Sequence, residues 1–255
     1  MIRDNRRVTT SVTDYVPDPA AATKHGEVVF SLVHSCGIVG QDAYDISAEF
    51  TEPFERASSK YDATEVLLSV VARCGDARHP FAYLSVPLTT GRAYIEQRAR
   101  YARVGVDDAK EIQAERRRTV SSNRSRAYEA AKRLRANMRG MVIDPSRFGD
   151  VPGWGQSDYH EFWVNVIGRF AEEVFFLDGW QYSVGCTIEF STAIRLGLPT
   201  LTTEFVALNA ATGSELVHAA VREYVAFGLD PKPLSDALSI GTADVTRPNS
   251  GSTGD

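Results

Sequence analysis

Residues 173–201, E-V-F-F-L-D-G-W-Q-Y-S-V-G-C-T-I-E-F-S-T-A-I-R-L-G-L-P-T-L, predict a strand, a polar loop, a helix and the start of another strand. The apolar run at 174–177 is short, as is typical of a strand buried on both faces of a parallel sheet. Asp178 follows it directly, and Glu189 falls about one turn into the helix. Because ligands in open α/β sheets bind beyond the carboxyl ends of the strands, Asp178, Ser183 and Glu189 are expected to converge there.

Glu189 has two interpretations. A glutamate framed by small residues near the start of a helix, in such a crevice, is a candidate nucleophile or base. The same residue is compatible with a solvated position on the helix surface, beside an aspartate that merely ends the strand. The spacing alone leaves both interpretations open.

The composition is that of an ordinary globular protein. The 255 residues carry a net charge of −5, which provides no global basic field for nucleic acid. No apolar run approaches the roughly 18 residues of a membrane span, and the N-terminus lacks the apolar segment of a secretory signal. The chain has 3 cysteines, which suits a reducing cytoplasm better than a disulfide scaffold. We therefore expect a cytoplasmic protein with neither membrane nor nucleic-acid partners.

The other elements predict a parallel sheet with helices on both sides. Strands are expected at 28–33, 81–85, 141–143, 174–177 and 198–201, and helices at 63–73, 121–137, 157–171 and 210–227. This alternation implies an α/β fold with a doubly wound, flavodoxin- or Rossmann-like parallel sheet and right-handed crossovers. The chain has neither a G-x-G-x-x-G motif after a strand nor a P-loop motif. The usual dinucleotide fold and a P-loop enzyme are therefore excluded as expectations.

The chain divides into three parts. Residues 1–80 form an N-terminal extension of unknown role, and the connector G-D-A-R-H-P at 75–80 marks its end. Residues 81–228 form the α/β domain. Residues 229–255 end in S-G-S-T-G-D and are expected to be a flexible C-terminal tail.

Three loops should meet at one edge of the sheet. They are residues 83–91, 144–156 and 178–189, and together they supply hydroxyl groups, carboxylates, a tyrosine and two tryptophans. This mixture suits a sugar that carries an aromatic base. Carboxylates would bind the sugar hydroxyls, aromatic rings the base, and hydroxyls or backbone N–H groups a phosphate.

The sequence resembles the nucleoside 2-deoxyribosyltransferase-like superfamily. The resemblance rests on Y-L-S-V-P-L-T-T-G at 83–91, V-I-D-P at 142–145, F-F-L-D-G-W-Q-Y-S-V-G-C-T-I-E at 175–189 and A-I-R-L-G-L-P at 193–199. The pattern is closest to the branch, common in phage and bacterial genomes, that reads Y-L-S-G-P-[IL]-T and later L-x-G-W-x-x-S-x-G-A-x-x-E. It covers about residues 81–205, and the second motif is the more specific of the two.

This resemblance implies cleavage or transfer at the N-glycosidic bond of a (deoxy)nucleoside or nucleoside 5′-monophosphate. Glu189 matches the family's catalytic glutamate, which attacks the anomeric carbon and displaces the base. Tyr83 matches the tyrosine that orients this glutamate. The glycosyl-enzyme is then captured by another base, which gives transfer, or by water, which gives hydrolysis.

The resemblance also implies a set of substrate contacts. Ser183 and Gly185 match the loop that holds a 5′-phosphate in nucleotide-cleaving relatives, and Trp180 is expected to stack on the base. The expected substrate-binding residues also include Ser85, Asp178, Gly179 and Asn165. No metal or cofactor is implied. Family members associate so that one subunit completes another's pocket, which predicts a homo-oligomer.

Two positions depart from the family pattern. Val86 replaces the glycine that follows Tyr-Leu-Ser, so the backbone can approach a ligand less closely. Asn165 stands, by spacing, where the family often has an acid that holds the sugar or protonates the leaving base, and an amide cannot act as a carboxylic acid. Glu161, one turn earlier, is the candidate substitute. These departures favour one alternative, a non-catalytic nucleotide-binding or sensing module. A second alternative is an NAD-type glycohydrolase, which uses a related glutamate chemistry.

Charged and titratable residues outside the motifs are interpreted as surface or packing residues. The basic cluster at 116–118 lies in a segment, about 92–120, that is an insertion relative to short family members. A solvated helix face explains this cluster, and anion binding is the alternative. His160 and His218 are expected on helices, at the surface or in packing.

Two His–Cys pairs allow a zinc site. His34 and Cys36 form one pair, and Cys74 and His79 form the other. The two halves are far apart in sequence, and free cysteines are often simply buried. We therefore predict no metal.

Overall fold

The computed structural model describes residues 23–75, 81–104, 109–138 and 140–239. Its strands are β1 (Phe81–Ser85), β2 (Met141–Ile143), β3 (Ala171–Phe176) and β4 (Thr200–Thr202). Its helices are α1 (Lys24–Ser35), α2 (Gln41–Glu55), α3 (Lys60–Cys74), α4 (Arg92–Val104), α5 (Ala109–Asn137), α6 (Gln156–Phe170), α7 (Val184–Arg195), α8 (Ala210–Ala226) and α9 (Lys232–Ser239). The strands form one sheet in the order β2-β1-β3-β4, and every strand pair is parallel. Helices cover both faces, which confirms the predicted doubly wound α/β fold.

Strand β1 lies at the centre of the sheet and separates its two faces. Tyr83 is in register with Ile143 of β2 and with Val174 of β3. Because side chains alternate along a strand, Tyr83 and Ser85 point to one face while Ala82 and Leu84 point to the other. Tyr83 and Ser85 can therefore both contact the same helix.

Helix α5 covers one face of the sheet. It buries Ala127, Ala130, Ala131 and Leu134 in a cluster with Ala82, Leu84, Val142 and Phe175. The small side chains let the helix approach the strands closely. Among the described residues no helix, α5 included, is long and apolar enough to cross a membrane.

The predicted start of this helix at residue 121 is wrong, because α5 begins at Ala109 and continues without interruption. Ser121 and Ser122 are exposed on its surface, where they need no capping role. The buried side chain of Asn123 has a different use. Its Nδ2 donates to the backbone carbonyl oxygens of Pro87, Leu88 and Thr90 at 2.6, 3.2 and 2.8 Å, and so fastens the loop after β1 to α5.

The other face of the sheet carries a larger core. Residues of α1, α2, α3, α6 and α7 share one hydrophobic cluster with Tyr83, Ile143, Val174 and Phe176 of the sheet. The three N-terminal helices are therefore part of the same core as the strands. Ion pairs reinforce the junction of α3 with α6, since Lys60 contacts Asp158 at 2.7 Å and Arg169 contacts Glu65 at 2.9 Å.

The strand predicted at 28–33 is wrong, because these residues lie in α1. The run V-V-F-S-L-V is buried at five of its six positions, since α1 packs against α2, α3 and the turn after β2. A helix buried nearly all round has no polar face, and its short apolar run cannot be told from a buried strand by pattern. Thr23, whose side chain accepts a hydrogen bond from the Gly26 N–H at 3.0 Å, is the N-cap that identifies the helix.

The flexible tail predicted from residue 229 is wrong over α9. Leu234 and Ala237 of this helix are buried, and Ser191 of α7 donates to the Ala237 carbonyl oxygen at 3.3 Å. Two buried apolar residues are enough to dock a helix of 8 residues, but they are too few for a pattern to show. The rest of the predicted tail, 240–255, lies outside the described residues.

Two helical glycines should respond in opposite ways to substitution by alanine. A Cβ atom at Gly213 of α8 would lie 2.0 Å from the ring of Phe190, whereas a Cβ at Gly168 of α6 would meet only Leu196 at an ordinary 3.8 Å. We expect Gly213→Ala to lower the free energy of unfolding by about 1–3 kcal/mol. Gly168→Ala should raise it by up to about 1 kcal/mol, because alanine is the better helix former. Urea unfolding of the pair measures both, and a stabilised Gly213→Ala protein would contradict the described packing of α7 against α8.

Candidate functional site

Glu189 and Asp144 are buried carboxylates at the carboxyl edge of the sheet, and Glu189 is the one that lines a cavity. It lies in α7, whose N-cap Ser183 accepts a hydrogen bond from the Cys186 N–H at 3.4 Å, and its residue is 8% exposed. Tyr83 Oη donates to Glu189 Oε1 at 2.7 Å, and Ser85 Oγ donates to Glu189 Oε2 at 2.6 Å. Two residues on one face of β1 thus hold both oxygens of a single carboxylate.

The Tyr83 hydroxyl remains protonated and donates a hydrogen bond. Tyr83 is fully buried, and its ring packs against Trp163 of α6 at 5.8 Å between ring centroids. Burial, together with the neighbouring Glu189 charge, raises the pKa of Tyr83 well above its ordinary value. Its phenol therefore keeps its proton and can hold the carboxylate at any physiological pH.

Burial dominates the electrostatics of the glutamate. It raises the pKa of Glu189 from 4.5 to about 7, although the hydrogen bonds from Ser85 and Tyr83 oppose this rise by favouring the charged form. A carboxylate that titrates near neutral pH, inside a cleft, is typical of catalytic groups.

A cavity of about 540 Å³ opens over Glu189. Its walls come from the loops after β1 and β2, from the start of α7, from one face of α6 and from α5. The volume falls within the range of small-molecule sites. The three loops predicted to meet at one edge of the sheet, 83–91, 144–156 and 178–189, all contribute residues to this cavity.

Several predicted site residues lie at this cavity. Glu189, Ser183 and Gly185 line it. Tyr83 and Ser85 stand behind Glu189 and reach the site through their hydrogen bonds to it. These five residues form the part of the predicted site that the structure brings together.

The structure does not bring the residues of the turn after β3 to the cavity. Trp180 is 3% exposed and packs against Phe176 and Phe190, each at 4.8 Å, so no base can stack on it. Asp178 has a side chain that is 88% exposed and faces Arg126 at 3.5 Å. Gly179, with φ of 89°, serves the turn between them.

Asn165 also lies away from the cavity. The residues of α6 that line it are Gln156, Tyr159, His160 and Trp163, which follow the i, i+3, i+4, i+7 spacing of one helix face. Asn165 follows Trp163, the last of these residues, by two positions, which places it about 200° around the helix from Trp163. Its Nδ2 donates to the Glu161 carbonyl oxygen at 3.0 Å. Glu161 is exposed and is not among the residues that line the cavity, so it does not replace the expected acid.

His160 is the cavity residue that sequence reasoning missed. Its Nε2 lies 3.0 Å from Gln156 Nε2, and burial lowers its pKa from 6.5. A Cβ atom at Gly185 would lie 3.2 Å from the same nitrogen, so the imidazole sits close against the start of α7. The polar and aromatic face of α6 at i, i+3, i+4 and i+7 was the signal that could have placed His160 here.

The structure brings together one cysteine from each of the two His–Cys pairs. Cys36 and Cys74 are buried, free thiols, and their contact together with burial raises the pKa of Cys36 well above its ordinary value. His79 lies outside the described residues. Among the residues that are described, no group of three or more His, Cys, Asp or Glu side chains could hold a metal ion.

Comparisons with family models, with curated proteins and with solved structures give no match to this chain. The family resemblance of the motifs therefore stays a prediction. The geometry around Glu189 does not depend on this resemblance, because the geometry follows from the hydrogen bonds and burial described above.

The raised pKa of Glu189 predicts a specific pH dependence of stability. A folded-state pKa above the unfolded value means that the folded protein binds the proton more tightly, so its stability falls as pH rises from about 4.5 through about 7. The free energy of unfolding should fall by up to roughly 3 kcal/mol between pH 5 and pH 8, relative to Glu189→Gln. Urea unfolding across this range measures the difference.

Glu161→Gln, which removes an exposed carboxylate from α6, is the matched control and should follow the wild-type profile. The glutamine at 189 cannot accept from both hydroxyls, which adds an offset that does not vary with pH. Parallel profiles for wild type and Glu189→Gln would show that Glu189 does not titrate near neutral pH.

Proposed function

We propose that this protein cleaves or transfers at the N-glycosidic bond of a nucleoside or nucleotide, with Glu189 as the nucleophile. The observation that carries this proposal is a buried carboxylate that faces a cavity and has both oxygens held by hydroxyl donors, Tyr83 on Oε1 and Ser85 on Oε2. The motif resemblance supports the same chemistry and the same glutamate.

The hydrogen bonds suit a nucleophilic role. Each carboxylate oxygen uses one lone pair on its hydroxyl donor and keeps another for the substrate. Two fixed contacts hold the carboxylate in one orientation, which lowers the entropic cost of reaching the attack geometry. With a pKa of about 7, roughly half of the molecules carry the reactive carboxylate at neutral pH.

The reaction proceeds in two displacements. A Glu189 oxygen forms a bond to the anomeric carbon, and the bond from that carbon to the base nitrogen breaks. The electron pair goes to the base, which takes up a proton and leaves. Water or the N–H nitrogen of a second base then attacks the same carbon and gives its proton to the group that protonated the first base. The bond from that carbon to Glu189 breaks, which releases the carboxylate and completes hydrolysis or transfer.

His160 is the candidate proton donor for the leaving base. It lines the cavity from α6, beside the start of α7, whereas Asn165 and Glu161 do not line it. In the described arrangement His160 Nε2 accepts from the Gln156 amide, so the imidazole is neutral, and the imidazolium requires that amide to turn its oxygen toward Nε2. An imidazolium with a lowered pKa then releases its proton readily to a base that becomes strongly basic as the glycosidic bond breaks.

Removal of the glutamate tests the nucleophile. Wild-type protein is incubated with nucleosides, nucleoside 5′-monophosphates and NAD, and free base is followed by chromatography. We expect Glu189→Ala to reduce base release by at least about a hundredfold, because the covalent step is lost, and Glu161→Ala to leave it unchanged. A second free base in the mixture distinguishes transfer from hydrolysis.

Two results would contradict this proposal. Base release that survives in Glu189→Ala would remove Glu189 from the reaction. Binding without base release in the wild type would favour the non-catalytic binding or sensing module.

The pH profile tests His160. Glu189 must be ionised and His160 must be protonated, and the pKa of Glu189 lies above that of His160. The profile is therefore a bell whose rising limb lies below pH 6.5 and whose falling limb lies near pH 7. Few molecules hold both groups in the required state, so activity should peak near or just below neutral pH. His160→Gln should lower kcat by about a hundredfold and abolish the falling limb.

His218→Gln is the matched control, because His218 is exposed on α8. It should retain both limbs of the profile. A falling limb that persists in His160→Gln would assign the proton transfer to another group.

A further inference from the structure

We infer that the ligand of the Glu189 cavity is a nucleotide with at least two linked phosphates, bound along α5 by Arg116, Arg117 and Arg124. The sugar and base of this ligand rest on the proposed function. Its phosphates rest on a separate observation, the arginine face of α5, and can be tested by binding alone.

The arginines of α5 line the cavity mouth and continue beyond it. Arg116 and Arg124 line the Glu189 cavity. Both also line an adjoining cavity of about 580 Å³, to which Arg117 and the hydroxyl groups of Ser121 and Ser125 contribute. These positions follow the spacing of one helix face, so the two cavities form a continuous surface along α5.

No carboxylate in the described part of the chain neutralises the charge of these three arginines. Their side chains are exposed, and within the described residues none of the three forms an ion pair, whereas Arg118 pairs with Glu115 and Arg126 with Asp178. The opposing charges at the cavity are Glu189 and Asp150. Three unpaired guanidinium groups on one surface of a protein with net charge −5 are suited to an anionic ligand.

The number of arginines on this face, three, favours more than one phosphate. Arg116 and Arg124 are eight residues apart, which is about 12 Å along the helix axis. Guanidinium groups bind phosphate in a fork geometry, one group to each pair of oxygens. A diphosphate that leaves the sugar at the cavity mouth can engage one arginine with each phosphate, whereas a monophosphate reaches only part of this surface.

A diphosphate occurs in two kinds of nucleotide. Nucleoside di- and triphosphates carry it at one end, and dinucleotides such as NAD carry it between two nucleosides. The recognition chemistry at α5 is the same for both, so binding experiments with ADP and with NAD distinguish the sources.

Binding to Glu189→Gln protein provides the test, because turnover is blocked. Calorimetric titrations use inorganic phosphate, pyrophosphate, adenosine, AMP, ADP and NAD. We expect pyrophosphate to bind at least about tenfold more tightly than phosphate, and ADP or NAD at least about tenfold more tightly than AMP. Arg116→Ala and Arg124→Ala should each weaken binding of pyrophosphate and of the diphosphate nucleotide by about tenfold and leave adenosine unaffected.

Arg133→Ala is the matched control. Arg133 is an exposed arginine of the same helix and is not among the residues that line either cavity, so its loss changes the net charge equally. Equal affinity for phosphate and pyrophosphate, unchanged affinity in both arginine variants, or an equal loss in Arg133→Ala would each overturn the inference.

Base release by the wild type separates the two proposals. Release from nucleosides as fast as from diphosphate nucleotides would overturn the inference and leave the proposed glycosidic chemistry in place. Arginine-dependent binding of pyrophosphate without release of any base would overturn the proposed chemistry and leave the diphosphate site in place.

Discussion

The hydrogen bonds from Tyr83 and Ser85 to Glu189 are the constraint on which the site depends. A carboxylate that is nearly withdrawn from water must be satisfied by donors, and here both donors come from one strand. Tyr83 and Ser85 share a face because side chains alternate along β1. The position of β1 is in turn fixed by its pairing with a strand on each side. The Ser183 N-cap fixes the start of α7, the helix that carries Glu189. The central strand and the following helix thus determine where chemistry can occur.

Helix α6 connects the core that the N-terminal helices share with the sheet to this site. One face carries His160 toward the cavity, while Lys60 and Glu65 of α3 pair with Asp158 and Arg169 near its two ends. The N-terminal helices therefore support the imidazole that the proposed mechanism uses. Exposed ion pairs contribute little each, so most of this support comes from the apolar contacts of the shared core.

The sequence predicted much of the sheet because short strands are local patterns. Short apolar runs located β1, β2 and β3, whereas the pairing of Glu189 with Tyr83, 106 residues apart, was expected only from the family resemblance. The same reasoning misplaced Trp180, because burial of an aromatic ring depends on neighbours such as Phe190 that are distant in sequence. It missed His160 because the direction of a helix face is fixed only by packing. Residues 28–33 failed for a related reason, since a helix buried on all sides has no amphipathic signature.

Helix α5 has two successive stretches with different neighbours. Residues 127–134 pack against the sheet through small side chains, whereas residues 113–125 face the cavities. Substitutions in the first stretch alter the fit of helix to strand. Substitutions in the second, apart from the buried Asn123 that fastens the loop after β1, alter an exposed surface beside the site. Ligand preference could therefore diverge among descendants of this chain with little loss of stability.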